Sequence, residues 1–164
     1  MMGRSHTAIG AAAVVIVAPH QPWPVLATTA TLGAAVALLP DLDIDTSMAS
    51  NSLGPITRML SRGVAWIAGG HRGGTHSLLA LALVTYAAWS AHVPGPYLRA
   101  IAVGYASHLL ADFLTGNGVP VLWPVDTHRQ GGAPLGNTGG WREHAAVAAI
   151  VLLSFSLLTG LVKP

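Results

Sequence analysis

The chain has 164 residues, of which 52% are hydrophobic and only 8 are Lys or Arg and 6 are Asp or Glu. That is far below the roughly 25% charge typical of soluble domains, so a monomeric water-soluble surface would be hard to cover. The absence of cysteine excludes disulfides and thiolate metal sites, leaving imidazole and carboxylate for any metal. The formal charge of +2 is small and dispersed, which argues against nucleic-acid binding.

Five apolar segments follow one another: Thr7 to Ala18, Val25 to Leu39, Ser77 to Ala91, Leu98 to Leu114 and Ala145 to Val162. A full span needs about 20 residues, so the last two read as spans and the first two are short. The N-terminal stretch reads as a retained helix, because Pro19-His20-Gln21-Pro22 makes a poor small-residue cleavage site. Pro19, Pro22 and Pro24 punctuate the first connection, and Pro94 and Pro96 another, as expected where helices stop and reverse. Two longer connections, Asp41 to Thr75 and Thr115 to His144, are rich in Gly, Pro and polar residues, and Pro55 to Ala68 reads as an amphipathic surface helix. The expected architecture is all-α: one domain over residues 1–164, a multi-pass membrane bundle of four or five transmembrane helices with two long cytoplasmic-side loops.

With five alternating helices, the N-terminus and both long loops share one side. Arg4, Arg58, Arg62, Arg72, Arg129 and Arg142 then lie on that side, against Arg99 and Lys163 on the other, which makes the long-loop side cytoplasmic. His6, Asp41, Asp43, Asp45, His71, His76, His108, Asp112, His128, Glu143 and His144 sort to the same side, although none of them was used to place it. Only His20 and His92 fall opposite.

Three local patterns stand out. In His108-Leu-Leu-Ala-Asp112 a spacing of four puts imidazole and carboxylate on one helical face, where the pair can grip an ion or simply bond to each other in the packing. In Pro40-Asp41-Leu42-Asp43-Ile44-Asp45 acids follow an apolar helix whose C-terminal dipole disfavours them, as ligands at a membrane surface or as a solvated turn. In Gly70-His71-Arg72-Gly73-Gly74-Thr75-His76-Ser77 two histidines and an arginine suited to phosphate recognition sit in a glycine-rich approach to a helix, with Thr75 or Ser77 as its N-cap. His6 and Glu143 join them by position; taken alone each fits an ordinary helix start. The five Trp residues read as an aromatic belt.

The blocks Leu38-Leu39-Pro40-Asp41-Leu42-Asp43, Gly70-His71-Arg72-Gly73 with Thr75-His76-Ser77, and Gly104-Tyr105 with Ser107-His108 and Ala111-Asp112 carry a resemblance. The last of them continues into Leu114-Thr115, Gly118-Val119-Pro120 and Leu122-Trp123-Pro124. In their order and spacing the chain resembles the YdjM-like membrane-bound proteins, which implies a metal-dependent hydrolase of the bacterial inner membrane. A remoter likeness, to zinc-dependent phospholipase C and related single-strand nucleases, implies that Asp41, His76, His108 and Asp112 ligate one metal, with Asp112 bridging to a second near His6. His71 is a further candidate ligand. The likeness between Thr127 and Arg142 is loose, so His128 and His144 receive no role.

The expectation is therefore metal-assisted hydrolysis with one or two divalent ions, zinc or else manganese. Asp43 or Glu143 serves as general base, and Arg72 neutralises charge on a phosphoryl oxygen. A site at the headgroup layer suits membrane lipids and a lipid or lipid-linked phosphoester. The alternative is a non-enzymatic metal-binding scaffold, or a small cation or proton carrier using His108 and Asp112. Oligomeric state is not encoded in any pattern found.

Overall fold

A computed structural model of the chain describes residues 1–43, 63, 73–116, 118–132 and 134–161. Asp45, His71, Arg72 and the surface helix expected over Pro55 to Ala68 lie outside the described residues. Five helices form among those described: α1 Gly3–Val17, α2 Trp23–Val36, α3 Leu78–Ser90, α4 Gly95–Phe113 and α5 Trp141–Leu158. Two short 3₁₀ turns, Pro40–Asp43 and Gly74–His76, flank the gap between α2 and α3.

The prolines do their work at helix starts. Pro22 and Pro94 are the N-caps of α2 and α4, and Pro24 and Pro96 sit in their first turns, where a missing N–H costs no helical bond. Ser77 caps α3, its hydroxyl accepting from the Ala80 N–H at 3.2 Å. The α3–α4 connection turns through His92, whose φ is 59°, while the Val93 N–H bonds back to the Ala88 carbonyl at 3.1 Å.

Beside a buried apolar core, several titratable side chains are buried and several large apolar ones exposed. His6, His76, His108 and Glu143 are fully buried, whereas Leu152, Phe155, Tyr86 and Trp89 are more than half exposed. Among the described residues, two helices are long and apolar enough to cross a membrane, the continuous stretch Trp23–Asp43 and α5. The fourth segment, expected to be one of the two best spans, is not among them, because Arg99, His108 and Asp112 lower its apolarity. The second segment, expected to be short, gains its length by running on through the 3₁₀ turn to Asp43.

Helix α1 packs on α2, α4 and α5; α2 also packs on α4, and α3 leans on α4. The α1, α2 and α4 backbones meet at three glycines. A Cβ placed on Gly10 or on Gly104 would lie 2.6 Å from the Gly33 carbonyl oxygen, and one on Gly33 would lie 2.5 Å from a Val14 methyl. Such small-residue crossings are how apolar helices approach closely without a hydrophobic driving force between them. Each glycine stands one turn from the same end of the bundle, near His6 on α1, Ala37 after α2 and His108 on α4.

Candidate metal centre

That end gathers the polar residues. His6 comes from the first turns of α1, Asp41 and Asp43 from the 3₁₀ turn after α2, His76 from the turn before α3, and His108 with Asp112 from the last turns of α4. His6, His76 and His108 are fully buried, Asp112 is 1% exposed, and Asp41 is the partly open member, with a side chain 14% exposed.

Two residues are held by their outer partners. The His108 Nδ1–H donates to the Ala37 carbonyl at 2.7 Å, which fixes the tautomer and leaves Nε2 as a lone pair facing inward. His76 turns Nδ1 towards Asp43 Oδ2 at 3.6 Å and towards the Thr75 hydroxyl at 3.1 Å; that hydroxyl donates to Asp43 Oδ2 at 2.8 Å. Tyr105 steadies the same turn by donating its hydroxyl to the Thr75 carbonyl at 2.6 Å.

The inward atoms converge. His76 Nε2 and His108 Nε2 lie 3.2 Å apart. Asp41 Oδ1 is 3.6 Å from the first and 3.8 Å from the second, and Asp112 Oδ2 is 3.8 Å from each. The other Asp112 oxygen, Oδ1, lies 3.2 Å from His6 Nε2 and accepts from the Met1 amino group. The ring of His6 stacks on that of His108 at 3.7 Å. Two overlapping triads have their ligand atoms within 4.8 Å of one another: His6, Asp41 and His108, and His76, His108 and Asp112.

Electrostatics point the same way. Burial opposes a charge on the His76 ring, yet the carboxylates of Asp41 and Asp43 outweigh it and hold His76 above the ordinary imidazole value.

Glu143 is buried beside this cluster but faces elsewhere. It accepts from the Met2 N–H at 3.0 Å, the Ser5 hydroxyl at 2.5 Å and the Gly139 N–H at 2.8 Å, tying α5 to the start of α1. His128 is exposed and bonds to Asp126 at 2.8 Å, and His144 is exposed and donates to the Gly140 carbonyl at 2.9 Å. His20 and His92 are exposed and stand apart from the cluster. Ala37, Thr75 and Tyr105 were not singled out from sequence as supports of the ligands. A main-chain carbonyl has no sequence signature, but Tyr105, one helical turn before His108, shares its face.

The fold and the cluster define a helical bundle of membrane type, closed at one end by a buried set of histidines and aspartates able to hold a divalent ion. The chain belongs to the family described as YdjM inner membrane protein, which it matches over residues 1–163. The Inner membrane protein YdjM of Escherichia coli (strain K12) is 43% identical over 94 residues, covering 53% of this chain and 44% of that protein, and its Shigella flexneri counterpart matches equally. The chain therefore aligns with less than half the length of these two relatives. A Bacillus subtilis (strain 168) protein named Uncharacterized protein YvsG is 33% identical over 157 residues, covering 94% of this chain and 92% of that one. No solved structure matches the chain.

Proposed function

We propose that the protein is a metal-dependent hydrolase of the bacterial inner membrane, cleaving a phosphoester of a lipid or lipid-linked substrate. The reading rests on one observation, the buried convergence of His76, His108, Asp41 and Asp112. The donor chemistry fits zinc or manganese, and the 3.2 Å between the two imidazole nitrogens is close to the about 3.3 Å edge of a tetrahedral site with Zn–N near 2.0 Å. His6, whose Nε2 lies 3.2 Å from Asp112 Oδ1, would with that carboxylate hold a second ion.

Held by His76, His108, Asp41 and Asp112, a divalent ion would supply Lewis-acid chemistry, activating water near neutral pH and offsetting phosphoryl charge. The protein's own groups set the rest. Ala37 and Asp43 orient His108 and His76, burial keeps bulk water from the inner ligands, and Asp41 borders the open side from which water and substrate arrive. The engagement of Asp43 with Thr75 and His76, and of Glu143 with Met2, Ser5 and Gly139, favours positioning roles over the proton transfers expected from sequence. Arg72 keeps its proposed role on the phosphoryl charge, and His71 its place as a further ligand, on sequence grounds. The bundle crosses the bilayer several times with the cluster at the cytoplasmic face, following the distribution of arginines. Confinement of the cluster to one end of the bundle supports hydrolysis over a carrier, which needs ionisable groups along a path.

The deciding measurement is the metal content of protein purified in detergent without added metal, beside His108→Ala and Asp112→Ala, followed by a phosphoester screen. Near-stoichiometric zinc or manganese lost in both variants, with turnover lost in parallel, is the expected result. Equal, negligible metal in all three proteins would sink the reading.

A further inference from the structure

We propose that the seam between α3 and α4 is the groove that holds the hydrocarbon chain of the substrate, so that the enzyme acts on lipids with at least one long chain drawn sideways from the bilayer. The inference rests on the hydrolase reading above and names the substrate class for that site.

The seam holds two adjoining apolar cavities of about 700 and 310 Å³, which share Leu78, Leu81 and Ala106. Together they form one trough from Val119 and Phe113 at the cluster end to Trp89 at the far end. No residue of α3 is buried, so the trough lies open along the bundle's flank. In a membrane that flank faces lipid rather than water.

The seam runs up to the metal centre. Leu78 stands two residues after His76, while Leu109 and Phe113 directly follow His108 and Asp112, so the backbone that presents the ligands also lines the trough. From Leu78 to Trp89 the helical rise amounts to about 17 Å. One leaflet of a ~30 Å hydrocarbon core is about 15 Å deep, so a chain whose headgroup sits at the cluster fits along the trough. The walls offer almost no polar surface, which suits a hydrocarbon and rejects a soluble headgroup as occupant. A lipid bound this way brings its phosphoester to the cluster without leaving the bilayer.

The test uses full-length protein in nanodiscs of phosphatidylcholine, loaded with its metal, with dioleoyl and dibutyryl phosphatidic acid as paired substrates and a diazirine-tailed phosphatidic acid as photoprobe. Ala102→Phe fills the trough from α4 six residues before His108, and Ala82→Phe fills it from α3 six residues after His76. The expected result is saturable cross-linking at the α3–α4 seam in the wild type, competed by the dioleoyl but not the dibutyryl lipid and reduced in both variants. Metal content stays at the wild-type level, and the dioleoyl-to-dibutyryl rate ratio falls at least about tenfold, the loss expected if about two methylenes remain unburied. Cross-links spread evenly over α3, α4 and α5, or a rate ratio untouched in both variants, would overturn the groove while leaving the hydrolase reading intact. Metal-loaded wild type that turns over neither lipid, nor any phosphoester in the earlier screen, overturns the hydrolase reading, and this inference about its substrate falls with it.

Discussion

His108 donates its Nδ1–H to the carbonyl of Ala37 across 2.7 Å, and the two residues stand one turn beyond the point where Gly104 of α4 meets Gly33 of α2. The bond that sets the imidazole tautomer thus depends on how closely two backbones approach. A Cβ on residue 104 would lie 2.6 Å from the Gly33 carbonyl oxygen and 2.9 Å from its Cα, and backbone cannot swing aside as a side chain can. Gly104→Ala is expected to cost about 1–3 kcal/mol by overpacking and to lower metal affinity as the bond lengthens. Gly95→Ala, at the far end of the same helix with open space around it, is the control and should change neither. Thermal unfolding in detergent together with metal titration checks both, and equal behaviour of the two variants would refute the close-approach account.

The two ligand triads share His108, and its single inward lone pair can serve only one ion. His108→Ala should therefore remove the ion that His108 itself ligates and leave at most the one beside His6 and Asp112. His6→Ala should remove at most half, because Asp41, His76, His108 and Asp112 remain. Elemental analysis against protein concentration measures this directly. A His6→Ala protein emptied of metal would mean that the sites fill only together.

Much of this arrangement was legible in the chain. The four-residue spacing of His108 and Asp112 placed them on one face, and the alternation of apolar segments brought His6, Asp41, His76 and Asp112 to one end, where they indeed meet. A cap at Thr75 or Ser77 was readable from residue type, and Ser77 is the one that caps. Helix starts were read three or four residues late for α1, α4 and α5, because polar or proline-bearing first turns break the apolar pattern while still being helical. What stayed hidden was whatever depends on relative placement across the bundle: the acceptor at Ala37, the glycine crossing, and the direction in which the Glu143 and Asp43 carboxylates point. A carboxylate near a site reads as a base in one dimension, and only its partners in three show what it holds.

Asp43 separates those two roles cleanly. Its Oδ2 accepts from Thr75 and faces His76 Nδ1, so Asp43→Asn should disorder the His76 ring and weaken metal binding roughly 10–100-fold, the usual cost of losing an outer partner of a histidine ligand. With metal supplied at saturation, turnover should recover. Competition with a chelator gives the affinity, and rates at saturating metal give the rest. A variant that binds metal normally yet stays slow would instead mark Asp43 as the general base.

Glu143 is the carboxylate for which partners matter most. Both oxygens accept from fixed donors, Met2 N–H and Ser5 hydroxyl on one and Gly139 N–H on the other, in a fully buried setting. Glu143→Gln keeps the shape but replaces one acceptor with an NH₂ group, so whichever way the amide turns, a donor faces a donor. An unsatisfied buried donor costs about 1–3 kcal/mol, which for a chain of this size is a fall of roughly 2–10 °C in Tm. Because the contact ties α5 to the start of α1, the His6 side of the cluster should lose metal first while the rate per bound ion holds. A general base behaves in the opposite way: Tm unchanged, metal retained, and activity lost together with the acid limb of the pH–rate profile. Measuring Tm, metal content and rate on the same Glu143→Gln preparation decides between a buried tie and a proton acceptor.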